Sequence, residues 1–237
     1  MSKYLDNIKY HDAQRIFSAA RMRKYLYACG GDEVCAMRLY AYNTRLSQAF
    51  FGVISLFEVV LRNAINEHYL QTLGENWIVQ QAIPEGLLDH EAEDVITTKR
   101  MYDKEGVYSH DKMVGSFTFG FWTYLFTKRN YKIGGKTLLQ IFPNRVKGTT
   151  KKSVYKDITA IREFRNRIAH HEPICFNANG AICTDYMQRH YNLITTYLRF
   201  MAVDEVQVQS LIIPPDGWIL DIENMQKGIK NTNPEVC

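Results

Sequence analysis

Eleven consecutive residues hold most of the groups in this chain that could act together on a substrate: Glu163-Phe164-Arg165-Asn166-Arg167-Ile168-Ala169-His170-His171-Glu172-Pro173. Histidine exchanges protons near neutral pH and serves as general acid or base. A guanidinium fork stabilises charge building on phosphoryl oxygens, and an asparagine can orient either group. Together Arg165, Asn166 and His170 suit phosphodiester cleavage in RNA: a 2′-hydroxyl loses its proton, attacks the adjacent phosphorus and expels the 5′-oxygen. That chemistry needs no metal or other cofactor.

Spacing constrains how these groups meet. Asn166 and His170 are four residues apart and share a helix face, whereas Arg165 and His170 differ by five, about 140° around a helix. The long arginine stem, fraying before Pro173, or a site shared across a symmetric dimer would close that gap. Spacing alone also fits an unreactive helix end whose polar groups satisfy terminal carbonyls. Arg62-Asn63-Ala64-Ile65-Asn66-Glu67-His68 nearly reproduces the arrangement, and His68 reads as a helix-end residue. Metal ligation by His170, His171, Glu172 and His190 is disfavoured, because adjacent histidines diverge on a helix, unlike an i,i+4 zinc pair.

The elements that must position these groups read mainly as helices. Leu46, Phe50, Val53, Phe57, Val60 and Ala64 form a seam along Thr44 to Tyr69, with Thr44 as N-cap and Gly74 as a stop. Helical spacing also runs over His11 to Cys29, broken by Gly30-Gly31, and resumes near Asp32; a weaker helix is expected over Glu85 to Asp103. The aromatic block Ser116 to Thr127 fits a buried helix or a strand, with core the favoured use and base stacking the alternative. Ser153 to Ala169 carries Ile158, Ile161, Phe164 and Ile168 as a stripe, and Pro173 ends it, so His170 sits near a helix carboxyl terminus. That position favours a protonated imidazole. Asn179-Gly180 between Ile174-Cys175-Phe176 and Ala181-Ile182-Cys183 predicts a small hairpin. Tyr186 to Met201 returns to helix, and Pro214-Pro215-Asp216-Gly217 opens a loop-like tail. The fold expected is all-α, one helical domain over 1–205 with a C-terminal tail over 206–237.

Bulk properties set limits on the setting. Hydrophobic residues make up 46% of 237, enough for a buried core without staples. The five cysteines, Cys29, Cys35, Cys175, Cys183 and Cys237, form neither a disulfide framework nor a zinc knuckle. The opening Met-Ser-Lys-Tyr-Leu-Asp lacks a secretory pattern. Ala49 to Leu61 falls short of the roughly 20 residues of a membrane span and reads as core. A reducing cytoplasm with no membrane role is expected. Net charge is only +4, but Lys128 to His170 carries twelve Lys or Arg against Asp157 and Glu163, leaving −6 for the remainder. Such asymmetry suits a phosphate-binding face through Lys147, Lys151 and Lys152; a solvated basic loop fits the charge equally well.

The run from Phe164 to Ile174 closely resembles the signature of the Abi-like family, the AbiD and AbiF group of the HEPN superfamily, whose defining element is Arg, a polar residue, a few variable residues, then His. Phe57-Glu58-Val59-Val60-Leu61-Arg62-Asn63 and Phe117-Thr118-Phe119-Gly120-Phe121-Trp122 with Leu125-Phe126 resemble further segments of that family in the same order, so the likeness spans roughly Thr44 to Met201. The resemblance implies a HEPN-like helical bundle and a metal-independent endoribonuclease that leaves a 2′,3′-cyclic phosphate. It further implies a growth-arresting toxin of phage defence, frequently a homodimer with one composite site, and in some relatives restraint by a structured small RNA antitoxin. Matched onto the motif, Arg165 is the phosphate stabiliser, Asn166 the orienter and His170 the acid or base. His171 is a second proton carrier, a phosphate donor or a helix cap; Glu58, Arg62 and Arg167 are supporting candidates that brace the motif helix or line the RNA site. A catalytically silent RNA- or protein-binding module of the same fold is the rival reading.

Overall fold

The computed structural model describes residues 8–204, 206–207 and 210–232. The segment read as lacking a secretory pattern, Met1 to Asp6, and Cys237 lie outside them. The fold is all-α. Its described parts fall into two compact units, one drawn from Met1–Val53, Arg165–Asn192 and Gln209–Cys237, the other from Ile54–Phe164 and Leu193–Val208.

The first unit begins with α1 (Tyr10–Phe17) and α2 (Ala19–Ala28). A single helix was expected over this stretch. Ser18 interrupts it with φ 78°, ψ 141°, and its hydroxyl accepts from Arg21 N at 3.3 Å, so a capping residue restarts the chain as α2. The next helix, α3, runs Glu33–Leu73. It starts at Asp32, whose carboxylate accepts from Val34 N at 2.9 Å and Cys35 N at 3.0 Å. Thr44, read as an N-cap, lies inside the helix instead. Its hydroxyl donates back to Tyr40 O at 2.9 Å, which lets a capping-type residue sit mid-helix without breaking the ladder.

At 41 residues, α3 has the length and composition of a membrane-crossing helix, with an 18-residue window of mean hydropathy 1.4, of which 39% is buried. The shorter stretch weighed from sequence omitted its flanking turns. Residues from its first half, Leu39, Leu46, Phe50 and Val53, are buried in the first unit.

The same unit holds the last turn of α9 (Lys151–Ala169), the start of α10 (Asp185–Phe200) and all of α11 (Asp216–Thr232). Tyr25 packs edge-on against Tyr40 and Phe176, with ring centroids 5.1 Å apart in both cases. Buried Asn43 accepts from Ile174 N at 2.9 Å and Cys175 N at 3.2 Å, pinning the chain that leaves the motif helix onto α3. The expected hairpin reduces to one antiparallel bridge, Phe176 with Ile182. Its loop has three residues rather than two: Asn177 N donates to Ala181 O at 2.9 Å, and Gly180 adopts φ 82°. The segment after Pro214-Pro215, read as loop-like, forms α11, because proline and aspartate are first-turn residues as readily as turn residues. Ile219 and Ile222 are buried, and Glu223 and Gln226 bond to Thr184 and the Ile182 carbonyl.

The second unit contains the remainder of α3 and α4 (Trp77–Gln80), α5 (Ala92–Lys104), α6 (His110–Ser116), α7 (Phe119–Tyr124) and α8 (Lys128–Ile133). Most of α9 and the end of α10 complete it. The weak helix expected from Glu85 begins only at Ala92, after a 3-10 turn at Asp89–Glu91. The centre of the aromatic block is helix, α7, with a turn after it: Phe119, Phe121, Trp122, Leu125 and Phe126 are buried, and Trp77 meets Trp122 edge-on and Tyr69 at a tilt. Gly134 is required here, since a Cβ would lie 2.6 Å from the Tyr69 hydroxyl.

Candidate functional site

Helix α9 starts with Thr150 and Ser153 capping each other reciprocally, each hydroxyl accepting from the other's backbone N–H at 3.1 and 3.0 Å. Its carboxyl end is a Schellman closure. His171 N donates to Ile168 O at 2.9 Å, Glu172 N donates to Arg167 O at 3.0 Å, and His171 adopts φ 56° in the left-handed region. Pro173 follows and forbids another turn. The two adjacent histidines therefore sit in different backbone environments. His170 still donates its N–H to Asn166 O at 2.9 Å, and His171 is the residue past the cap.

Arg165 lines a cleft of about 1180 Å³. Arg15 of α1, Arg21 of α2 and His171 share its wall, along with Phe51 and Glu172. One nitrogen of Arg21 donates to the His171 carbonyl at 2.7 Å, tying α2 to the end of the motif helix. Tyr40 is also on the wall; burial raises its phenol above the usual range, and the nearby Arg21 guanidinium partly offsets that rise. Three guanidinium groups against the Glu172 carboxylate leave this cleft with an excess of positive charge suited to a phosphate chain.

The other motif residues are placed elsewhere. Asn166 and His170 are exposed and share the helix face expected from their spacing, but neither lines the cleft that Arg165 faces. Within one chain the 140° offset is not closed by fraying. Arg167 is engaged in holding the turn: it donates to Pro173 O at 2.6 Å, lies 3.7 Å from Glu172 Oε2 and sits 5.2 Å over the Tyr186 ring.

Glu58 and Arg62 belong to the second unit, both half-buried, with Arg62 Nε enclosed and lacking a hydrogen-bond partner. Lys147, Lys151 and Lys152 also belong to that unit; Lys147 and Lys152 are exposed. His68, read as a helix-end residue, lies within α3, buried and bonded through Nε2 to Thr137 Oγ1 at 2.9 Å, and burial lowers its pKa. His190 is buried with Nδ1 2.7 Å from Tyr186 O. Among the described residues no three His, Cys, Asp or Glu side chains gather closely enough to hold a metal ion.

Arg15 and Arg21 were not singled out from the sequence. The signal was present, since Lys9 to Lys24 holds five Lys or Arg against Asp12 alone. It was hidden inside a remainder that sums to a negative charge.

No protein-family model matches the chain, and comparisons with curated proteins and with solved structures give no match either.

Proposed function

We propose that this chain is a metal-independent endoribonuclease of the Abi-like group of the HEPN superfamily, a cytoplasmic toxin of phage defence that cleaves RNA to a 2′,3′-cyclic phosphate. The observation that carries this reading is the placement of Arg165 in a cleft with Arg15, Arg21 and His171, at the end of the helix that presents His170. Arg165 stabilises the charge that builds on the phosphoryl oxygens. His170 takes the proton of the attacking 2′-hydroxyl or returns one to the departing 5′-oxygen, and Asn166 orients it.

Because Asn166 and His170 do not line the Arg165 cleft, the reaction calls for a homodimer in which Arg165 of one copy and His170 of the other address the same phosphodiester. A structured small RNA filling the cleft would act as antitoxin by occupying the substrate's place. The same divergence of Arg165 and His170 favours the second reading, a catalytically silent RNA- or protein-binding module, if the chain acts as a monomer.

Incubation with single-stranded RNA in chelator separates the two. The wild type is expected to cut, and His170→Ala to lose about 100-fold or more of that rate while retaining RNA affinity. Intact RNA after incubation with wild type, or unchanged cutting by His170→Ala, overturns the ribonuclease reading. In cells, expression should arrest growth and His170→Ala should relieve the arrest.

A further inference from the structure

Another face of α2 borders a second groove, of about 620 Å³, that the motif chemistry does not use. Ala20, Arg23, Lys24 and Tyr27 stand at i, i+3, i+4 and i+7 and so form one stripe along the helix. The facing wall is Pro173, Phe176 and the turn from Asn177 to Gly180. Tyr27 is 78% exposed, the most open large hydrophobic side chain among the described residues. Arg23 and Lys24 are exposed, and among the described residues neither makes an ion pair. The third cation, Arg167, is already committed to Pro173, Glu172 and Tyr186.

An open aromatic ring beside two unpaired cations is a poor surface for water and a good one for a single nucleic-acid strand. The ring offers a stacking face to a base while the cations meet the flanking phosphates. A purely apolar partner would desolvate Arg23 and Lys24 with nothing to balance them. Glu172 lines both this groove and the Arg165 cleft, so the two adjoin at the end of the motif helix.

We infer that the α2 groove is a strand-binding subsite for single-stranded RNA, with Tyr27 as the base platform and Arg23 and Lys24 as the phosphate contacts. It rests on RNA being the ligand of the adjoining motif cleft, and it adds the path by which a longer strand is held.

The test uses the full chain and a short fluorescent single-stranded RNA carrying 2′-O-methyl groups, which cannot undergo 2′-hydroxyl attack. Binding is read by anisotropy over a range of salt. Tyr27→Ala should weaken Kd about tenfold, while Tyr27→Phe keeps the ring and the affinity. Arg23→Ala with Lys24→Ala should lower the slope of log affinity against log salt by about 1.4, the loss of two single-strand phosphate contacts. With long unmodified RNA these changes should raise KM and spare kcat. Wild-type affinity in Tyr27→Ala, equal weakness in Tyr27→Phe, or an unchanged salt slope overturns the subsite. The outcomes stay separable from the ribonuclease reading: Tyr27-dependent binding by a chain that cuts nothing upholds the groove and removes the nuclease, whereas cutting with indifferent Tyr27 and Arg23/Lys24 variants does the reverse.

Discussion

His171 shows how a backbone angle gives a residue a structural part at a position for which spacing leaves several roles open. With φ 56° it occupies the position past a helix cap where glycine is the usual residue, and its carbonyl, not its ring, holds Arg21. We expect His171→Gly to keep that carbonyl and the closure, changing stability by less than about 1 kcal/mol, because relief of the left-handed penalty offsets the added chain entropy. RNA cleavage by this variant should stay within a few-fold of wild type. A loss of about 100-fold, measured on a protein that melts normally, would make the imidazole a proton carrier instead. Arg165, Asn166 and His170 could be singled out in the sequence because their types and order resemble a known motif. Arg15 and Arg21 carried only a local charge excess, since no periodicity or motif ties α1 and α2 to a residue 150 positions away from Arg21.

At the level of elements, the register between α3 and the chain leaving α9 depends on Asn43. Its carboxamide oxygen accepts from two buried backbone donors, Ile174 N and Cys175 N. Asn43→Ala should therefore cost about 2 to 3 kcal/mol, visible as a lowered denaturation midpoint, because both donors lose their partner at once. Asn43→Ala melting like wild type would show that Ile174 and Cys175 find other acceptors. Helix positions along the chain were legible from apolar periodicity, as the stripe over Ile158, Ile161, Phe164 and Ile168 shows. Boundaries set by side-chain hydrogen bonds were less so. Thr44 has the chemistry of a cap but bonds within its own helix, Ser18 restarts a helix that periodicity carries straight through, and Pro215-Asp216 opens a helix where a turn was expected. In each case the same polar group serves two local geometries, and only tertiary packing selects one.

For the whole molecule, the proposed reaction draws on two copies of the chain, because Arg165 lines a cleft that His170 does not. Mixing Arg165→Ala protein with His170→Ala protein should restore activity that neither has alone, because a mixed dimer keeps one intact pair of Arg165 and His170 across its axis. Continued silence of the mixture, with mixed dimers demonstrated, would mean that both groups must come from one chain. The break at Ser18 has a different consequence, which concerns what this fold gives up. A serine at φ 78°, ψ 141° carries a penalty of about 1 to 3 kcal/mol that glycine would not, while glycine caps a helix only a few tenths of a kcal/mol less well. Ser18→Gly should therefore raise Tm by about 2 to 4 °C. A chain that keeps serine there forgoes an easily reached gain in heat tolerance and retains a hydroxyl and a stiff corner at the mouth of the Arg165 cleft. Selection for thermal endurance alone would be expected to erase that corner early, and the variants it yields would show whether the corner serves activity.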